Sequence, residues 1–164
     1  MATVIYKTDD DISTDVIYPG RYMATVLPTE TPQFAFADDA DFNGRLTAGQ
    51  IPAGSAIVAG SNFGCGSSRE QAVSTLKGHE LVIVARSVAR IFLQNAINLG
   101  LRVVLCPTIE ANEGDELEIS ATEVVNRTSG TRFPVNALPQ SRQAIIDAGG
   151  LIPFTRRRLL AGRA

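Results

Sequence analysis

Tryptophan is absent from this 164-residue chain, histidine occurs once and cysteine twice. Each shortage excludes a kind of chemistry. Cys65 and Cys106 are too few for a disulfide scaffold, form no Cys-x-x-Cys pair, and cannot alone build a metal or iron–sulfur site, so no metal ligand is assigned to this chain. The only histidine, His79, follows Gly78 at the far end of the helix described below, about ten residues or ~15 Å from Ser67, Ser68 or Cys65 at 1.5 Å per helical residue. That separation excludes a Ser–His or Cys–His dyad. No stretch approaches the ~20 apolar residues of a membrane span. The opening Met-Ala-Thr-Val-Ile-Tyr-Lys lacks the basic-then-apolar order of a secretory leader, and the expectation is a cytoplasmic protein. A net charge of −2 argues against a nucleic-acid partner, which would need a basic face. Arg156-Arg-Arg158 is the one basic run and reads as a solvated helix end or tail.

What is present is an ordinary single-domain length, residues 1–164, with no repeat, linker or low-complexity segment. The pattern is α/β. Ser55 to Ala59 reads as a strand, Ser68 to Lys77 as a helix carrying Ala72, Val73 and Leu76 inward, and Leu81 to Ala85 as a buried strand. Val88 to Leu99 follows as a helix with Ile91, Phe92, Ala96 and Leu99 on one face and Gly100 as its stop, then Arg102 to Leu105 as a strand. This alternation predicts a parallel core. Leu117 to Ser120 and Glu123 to Asn126 read as paired strands, Arg127 to Phe133 as a turn centred on Gly130, and Gln140 to Asp147 as a last helix ended by Gly149-Gly150.

The most informative segment is Gly60-Ser-Asn-Phe-Gly-Cys-Gly-Ser-Ser-Arg-Glu-Gln-Ala72, a strand-to-helix corner holding three glycines, two serines and an arginine. Gly60, Gly64 and Gly66 permit positive φ and close approach of a ligand to the backbone. The first turn of the helix leaves N–H groups unpaired, and with the helix dipole these favour an anion. Arg69 sits where a cation opposes the dipole, and a bound carboxylate would supply a reason for it. A plain capping role is equally consistent: Ser67 with Glu70, or Ser68 with Gln71, fits the Ser-x-x-Glu/Gln box. The corner has neither the Lys-Ser/Thr ending of a P-loop nor the last glycine of a dinucleotide fingerprint. Asp9 to Asp15 holds four aspartates but lacks the glycine and closing glutamate of an EF-hand, so it reads as a solvent-facing loop that caps local backbone. Asp38, Asp39 and Asp41 read as a polar loop or helix start.

Asn62-Phe-Gly-Cys-Gly-Ser-Ser-Arg-Glu70 resembles the signature of the small subunits of isopropylmalate isomerases, which correspond to the mobile last domain of aconitases. Asp10-Asp-Ile-Ser-Thr-Asp-Val-Ile17 with Pro19-Gly-Arg-Tyr22, Ala89-Arg-Ile-Phe92 with Asn95-Ala-Ile-Asn98, and Glu113-Gly-Asp-Glu-Leu-Glu118 resemble other parts of that family in the same order, from about Thr3 to Phe154. The resemblance implies an aconitase-type swivelling β/β/α domain, with a mixed sheet and flanking helices. It also implies a hydro-lyase that moves a hydroxyl between neighbouring carbons of a small dicarboxylate. Ser67 would be the base, as alkoxide, while Gly66, Ser68 and Arg69 would hold the substrate carboxylate and the developing oxyanion. The [4Fe–4S] cluster of such enzymes is carried by a large subunit, so the chain would be inactive without that partner.

Substrate choice in the family is implied to lie in the loop Arg21, Tyr22, Met23, Ala24. Relatives that act on homoaconitate carry arginine where Ala24 stands. A small apolar residue cannot partner a third carboxylate, so an alkylmalate is favoured: isopropylmalate first, then dimethylmalate or citramalate. Met23 could pack against the alkyl branch or fill a core gap. Gln71 replaces the usual histidine of the signature and cannot take up a proton. Two other classes stay open. One is a binding module that holds a carboxylate without reaction; the other is a Ser67 or Cys65 hydrolase, which lacks both a histidine and a Gly-x-Ser-x-Gly elbow.

Overall fold

The computed structural model describes residues 1–162. Four short strands, β1 (Ala2–Lys7), β2 (Ala56–Ala59), β3 (Val82–Ala85) and β4 (Arg102–Leu105), lie parallel; three more, β5 (Glu116–Ile119), β6 (Glu123–Asn126) and β7 (Arg132–Pro134), continue the sheet antiparallel. The spatial order is β4-β3-β2-β1-β5-β6-β7, so β1 is the seam between the two halves.

The apolar runs of the parallel strands are continuous because both faces are covered. Ile57, Ala59, Ile83, Ala85 and Val103 pack into one core with the helices, and Ala56, Val58, Val82, Val84 and Val104 pack into a second. Leu117, Val124 and Phe133 of β5, β6 and β7 close that second core, folding the antiparallel half over the parallel one. The layering is β/β/α.

The helices are α1 (Thr14–Ile17), α2 (Ala40–Thr47), α3 (Glu70–Gly78), α4 (Arg90–Leu99), α5 (Gln140–Asp147) and α6 (Leu151–Ala161). Ala72, Val73 and Leu76 of α3 are fully buried, as their spacing requires. Four expectations need correction. Val88 does not begin α4; it is extended and bridges to Phe63. Ile91 is 47% exposed, and Ile97 takes its place inside. At about 100° per residue the buried stripe runs through Phe92, Ala96 and Ile97, which puts Ile91 on the opposite side. The Gly130 turn stops short of Arg132, where β7 begins, pairing Phe133 with Val124. Finally, α5 is not the last helix: Gly149 and Gly150, at φ +89 and +117, form a corner that leads into α6, and the Arg156 to Arg158 run lies within that helix.

Candidate active site

Three loops leave the carboxyl ends of β1, β2 and β3, and their main chains are laced together. The Asp11 N–H donates to Ser61 O (2.8 Å), Gly64 N–H to Ile12 O (2.7 Å), and Thr14 N–H to Cys65 O (2.8 Å). On the other side Phe63 N–H donates to Ser87 O (3.1 Å) and Ala89 N–H to Phe63 O (2.9 Å). Carboxyl ends of parallel strands are where α/β sheets hold ligands, because helices starting there point N–H groups into the crevice.

The glycines serve this lacing more than they serve a ligand. Gly60 is outside the left-handed region, and a Cβ there would stand 2.1 Å from Asp10 Oδ1. Gly64, at φ +78, has its α-carbon against the Phe92 ring, where a Cβ would stand 2.3 Å from Cγ.

Both capping readings of the serine pair are overturned. Helix α3 starts at Glu70, Arg69 occupies its N-cap position, and no side chain caps it. Ser67 is exposed and turned toward α1, with its Oγ 3.0 Å from Thr14 Oγ1 and its N–H donating to the same oxygen at 3.1 Å. Ser68, also exposed, accepts at its carbonyl from Asn95 Nδ2 of α4 (3.3 Å). The N–H groups of the first turn therefore remain open to an anion beside Ser67, and Gln71 lies half-buried in that turn.

Arg69 has a resident partner. Its guanidinium pairs with Asp15 of α1 and donates to Tyr18 O (3.1 Å), and its side chain is only 17% exposed. The dipole penalty is thus offset by a carboxylate of this chain. The aspartate segment is correspondingly not a local capping loop: Asp10 Oδ1 accepts from Ser61 N–H (2.6 Å), Asp11 from Asn62 Nδ2 (2.7 Å), and Asp15 from Arg69. Only Ser13 caps locally, accepting from Val16 N–H (3.3 Å).

The Arg21–Ala24 loop adjoins this centre through Gly20, where a Cβ would stand 3.4 Å from Arg69 Nη2. Its side chains are not gathered around Ser67. Arg21 forms a two-pronged pair with Asp38 (2.5 and 3.2 Å) and lies over the Tyr22 ring, while Tyr22 stacks on Phe34 at 4.1 Å. Met23 is 37% exposed, which rules out the core-gap reading. Ala24 is exposed. The loop is tied down by the buried Tyr18, whose hydroxyl approaches the carbonyl oxygens of Tyr22 (3.1 Å) and Thr25 (3.4 Å).

Ser67, Ser68 and Gly66 lie on open surface, and Val16, Met23, Val26, Leu27 and Ile91 are exposed as well. A cavity of about 700 Å³ lies elsewhere, between Lys7–Asp10 and Ile109–Asn112, and neither Ser67 nor Arg69 lines it. Sequence reasoning missed Thr14 and Asp15 as members of this centre. Both lie in the Asp-Ile-Ser-Thr-Asp motif, but nothing local shows that they face residues more than fifty positions away.

The donors present limit what metal this chain could hold. Cys106 is buried, which pushes its thiol up to about 11 and keeps it protonated at neutral pH, and Cys65 Sγ is engaged with Asp11 O at 3.3 Å. His79 is 2.8 Å from Pro32 O, away from both. Among the described residues no group of three or more His, Cys, Asp or Glu is placed to hold a metal. An iron–sulfur cluster does not fit this chain's own residues.

Comparison with known proteins decides the family. Residues 23–107 match the aconitase C-terminal domain. The 3-isopropylmalate dehydratase small subunit of Thermodesulfovibrio yellowstonii is 40% identical over 161 residues, covering 94% of this chain and 93% of that protein. The chain belongs to the dehydratase small subunits of the aconitase family. The 2,3-dimethylmalate dehydratase small subunit of Eubacterium barkeri is 39% identical over 156 residues, covering 92% of this chain and 93% of its own. The crystal structure of 3-isopropylmalate dehydratase from Methanocaldococcus jannaschii superimposes with a TM-score of 0.88 at 36% identity, over 98% of this chain and 96% of that one. The aconitase-type β/β/α fold inferred from the motifs is thereby established for this small subunit.

Proposed function

We propose that this chain is the small subunit of a two-chain hydro-lyase that interconverts 2-isopropylmalate and 3-isopropylmalate by removing and re-adding water, a step of leucine biosynthesis in the cytoplasm. The observation that carries the reading is the open corner itself: Ser67, the uncapped start of α3 and Arg69 held by Asp15 stand side by side on a surface that no other described residue covers. Chemistry that must exclude water needs a cover there, and a large subunit seated on that corner would supply it.

Proton removal from a carbon beside a carboxylate is difficult because the carbon acid is weak and negative charge develops. Ser67 Oγ takes that proton. The free N–H groups of the α3 start and the remaining donors of Arg69, Nε and Nη2, hold the substrate carboxylate as the charge grows. Asp15 fixes the guanidinium plane. A [4Fe–4S] cluster on the large subunit would supply Lewis-acid help to the departing hydroxyl, with no ligand from this chain's residues. Arg21 would meet substrate only by releasing Asp38, whereas Tyr22, Met23 and Ala24 would face the alkyl end.

A second reading has a specific observation in its favour. A relative named for dimethylmalate is nearly as similar, at 39% identity against 40% for one named for isopropylmalate, and Ala24 and Gln71 suit any alkylmalate without a third carboxylate. The test is co-expression with a candidate large subunit, anaerobic reconstitution, and alkene absorbance with isopropylmalate, dimethylmalate, citramalate and homocitrate as substrates. Turnover that needs both chains and is fastest with isopropylmalate is expected. Turnover by this chain alone, or no turnover from a formed and cluster-loaded complex, would overturn the proposal in favour of a carboxylate-binding module.

A further inference from the structure

Resting on the reading of Ser67 as the base, we propose that Thr14 is the positioning residue that makes the Ser67 alkoxide attainable. Thr14 opens α1, is 1% exposed, and has its backbone fixed at both ends: its N–H donates to Cys65 O (2.8 Å) and its carbonyl accepts from Tyr18 N–H (2.9 Å). Its hydroxyl oxygen meets one residue only among those described. Ser67 N–H donates to it at 3.1 Å, Ser67 Oγ lies at 3.0 Å, and Ser67 O at 3.4 Å.

The proton inventory decides what this contact can do. A hydroxyl has one proton and two acceptor positions. Because the Ser67 N–H occupies one acceptor position of Thr14 Oγ1, the threonine proton is free to turn to Ser67 Oγ or to Ser67 O. While Ser67 is neutral, either hydroxyl can donate to the other. Once Ser67 has given its proton to solvent it can only accept, and Thr14 O–H then points at the alkoxide in a charge-assisted bond that is stronger than the neutral one it replaces. The substrate proton then moves to Ser67 Oγ, the electron pair stays on the substrate carbon, and Thr14 keeps its own proton throughout. Branching at Cβ limits the threonine to few rotamers, so the donor is aimed before substrate arrives.

The experiment compares Thr14→Val and Thr14→Ser in the reconstituted two-chain enzyme, with Ser67→Ala alongside. Valine keeps the shape and removes the hydroxyl, whereas serine keeps the hydroxyl. Expected for Thr14→Val is a fall in kcat of about 10- to 100-fold, the range of one hydrogen bond to a charged group, with KM within about twofold. Loss of the donor raises the pH at which the alkoxide forms, so the rising limb of kcat against pH moves upward. Thr14→Ser restores both the rate and the limb. On the isolated chain, amide exchange at Ser67 accelerates in Thr14→Val and stays protected in Thr14→Ser, which reads the geometry without any turnover. Unchanged kcat in Thr14→Val, an unshifted pH limb, or a Thr14→Ser variant as slow as valine would overturn the positioning role while a dead Ser67→Ala leaves the base assignment standing. Activity that survives Ser67→Ala would overturn the base assignment, and this role with it.

Discussion

Two helices of this small subunit begin in opposite ways. At α2 the N-cap is Asp39, which accepts from Phe42 N–H at 3.0 Å and from the Tyr6 hydroxyl at 2.8 Å. At α3 the N-cap position holds Arg69, and two serines within capping range by sequence are turned away, Ser67 toward Thr14 and Ser68 by its carbonyl toward Asn95. The first arrangement closes the orphan N–H groups for stability. The second leaves them open, and the cost of an uncapped end with a cation at it is offset from outside the helix by Asp15. A helix start that breaks the capping rule while suitable residues stand next to it marks a place where the fold serves a ligand.

Substitutions at the two starts should separate these roles. The largest effect is expected for Ser67→Ala: kcat of the reconstituted enzyme falls by about 10²- to 10⁴-fold, the usual worth of a positioned base, while thermal stability of the chain stays put. A loss of folding that accompanied the loss of rate would place Ser67 with the caps. Arg69→Lys comes next, with kcat/KM falling about 10- to 100-fold, because a point charge cannot serve Asp15, Tyr18 O and a carboxylate together. A kcat/KM for Arg69→Lys equal to that of the wild type would show that the planar fork has no role.

Asp39→Ala is the smallest change, and its effect is on stability: about 1 kcal/mol lost in denaturant titration, with activity per folded molecule unaltered. The Phe42 N–H first, and the Tyr6 hydroxyl second, hold the Asp39 carboxyl below its ordinary range, and burial together with Asp39 pushes Tyr6 up to about 12. A depressed carboxylate contributes stability above its unfolded pKa, and that contribution is lost as pH falls through the folded value. The wild-type advantage over Asp39→Ala should therefore be full at neutral pH and shrink in acid. An advantage that grew on acidification would contradict the bond geometry.

Much of this was legible in the residues. Three of the four parallel strands, β2, β3 and β4, announced themselves as apolar runs and α3 by the spacing of Ala72, Val73 and Leu76; β1 was not read as a strand, and the aspartates before Phe42 left loop and helix start both open until Asp39 proved to be the cap of α2. The errors share a cause, which is that local rules cannot see partners far along the chain. Val88 has helical neighbours but is held extended by Phe63. Gly149-Gly150 has the composition of a stop, yet it is a corner packed against Gly100, after which the chain turns helical again. Ser67 satisfies a capping pattern and is drawn off by Thr14, more than fifty residues earlier. The corner could be identified as a site from its composition, but the Thr14 and Asp15 half of it needed the sheet to bring β1 beside β2.

The tether on the loop from Tyr22 to Thr25 has a consequence for how such an enzyme can change its diet. Tyr18 grips that loop by two backbone carbonyl oxygens, a tether that asks nothing of the Met23 and Ala24 side chains. The reacting corner is different, since Gly60 and Gly64 leave no room for even one more carbon. Inheritance can therefore rewrite the two exposed letters at 23 and 24 with little harm to folding or to the proton-transfer machinery. On the proposed reading, taste in substrates is free to drift where the chemistry is locked.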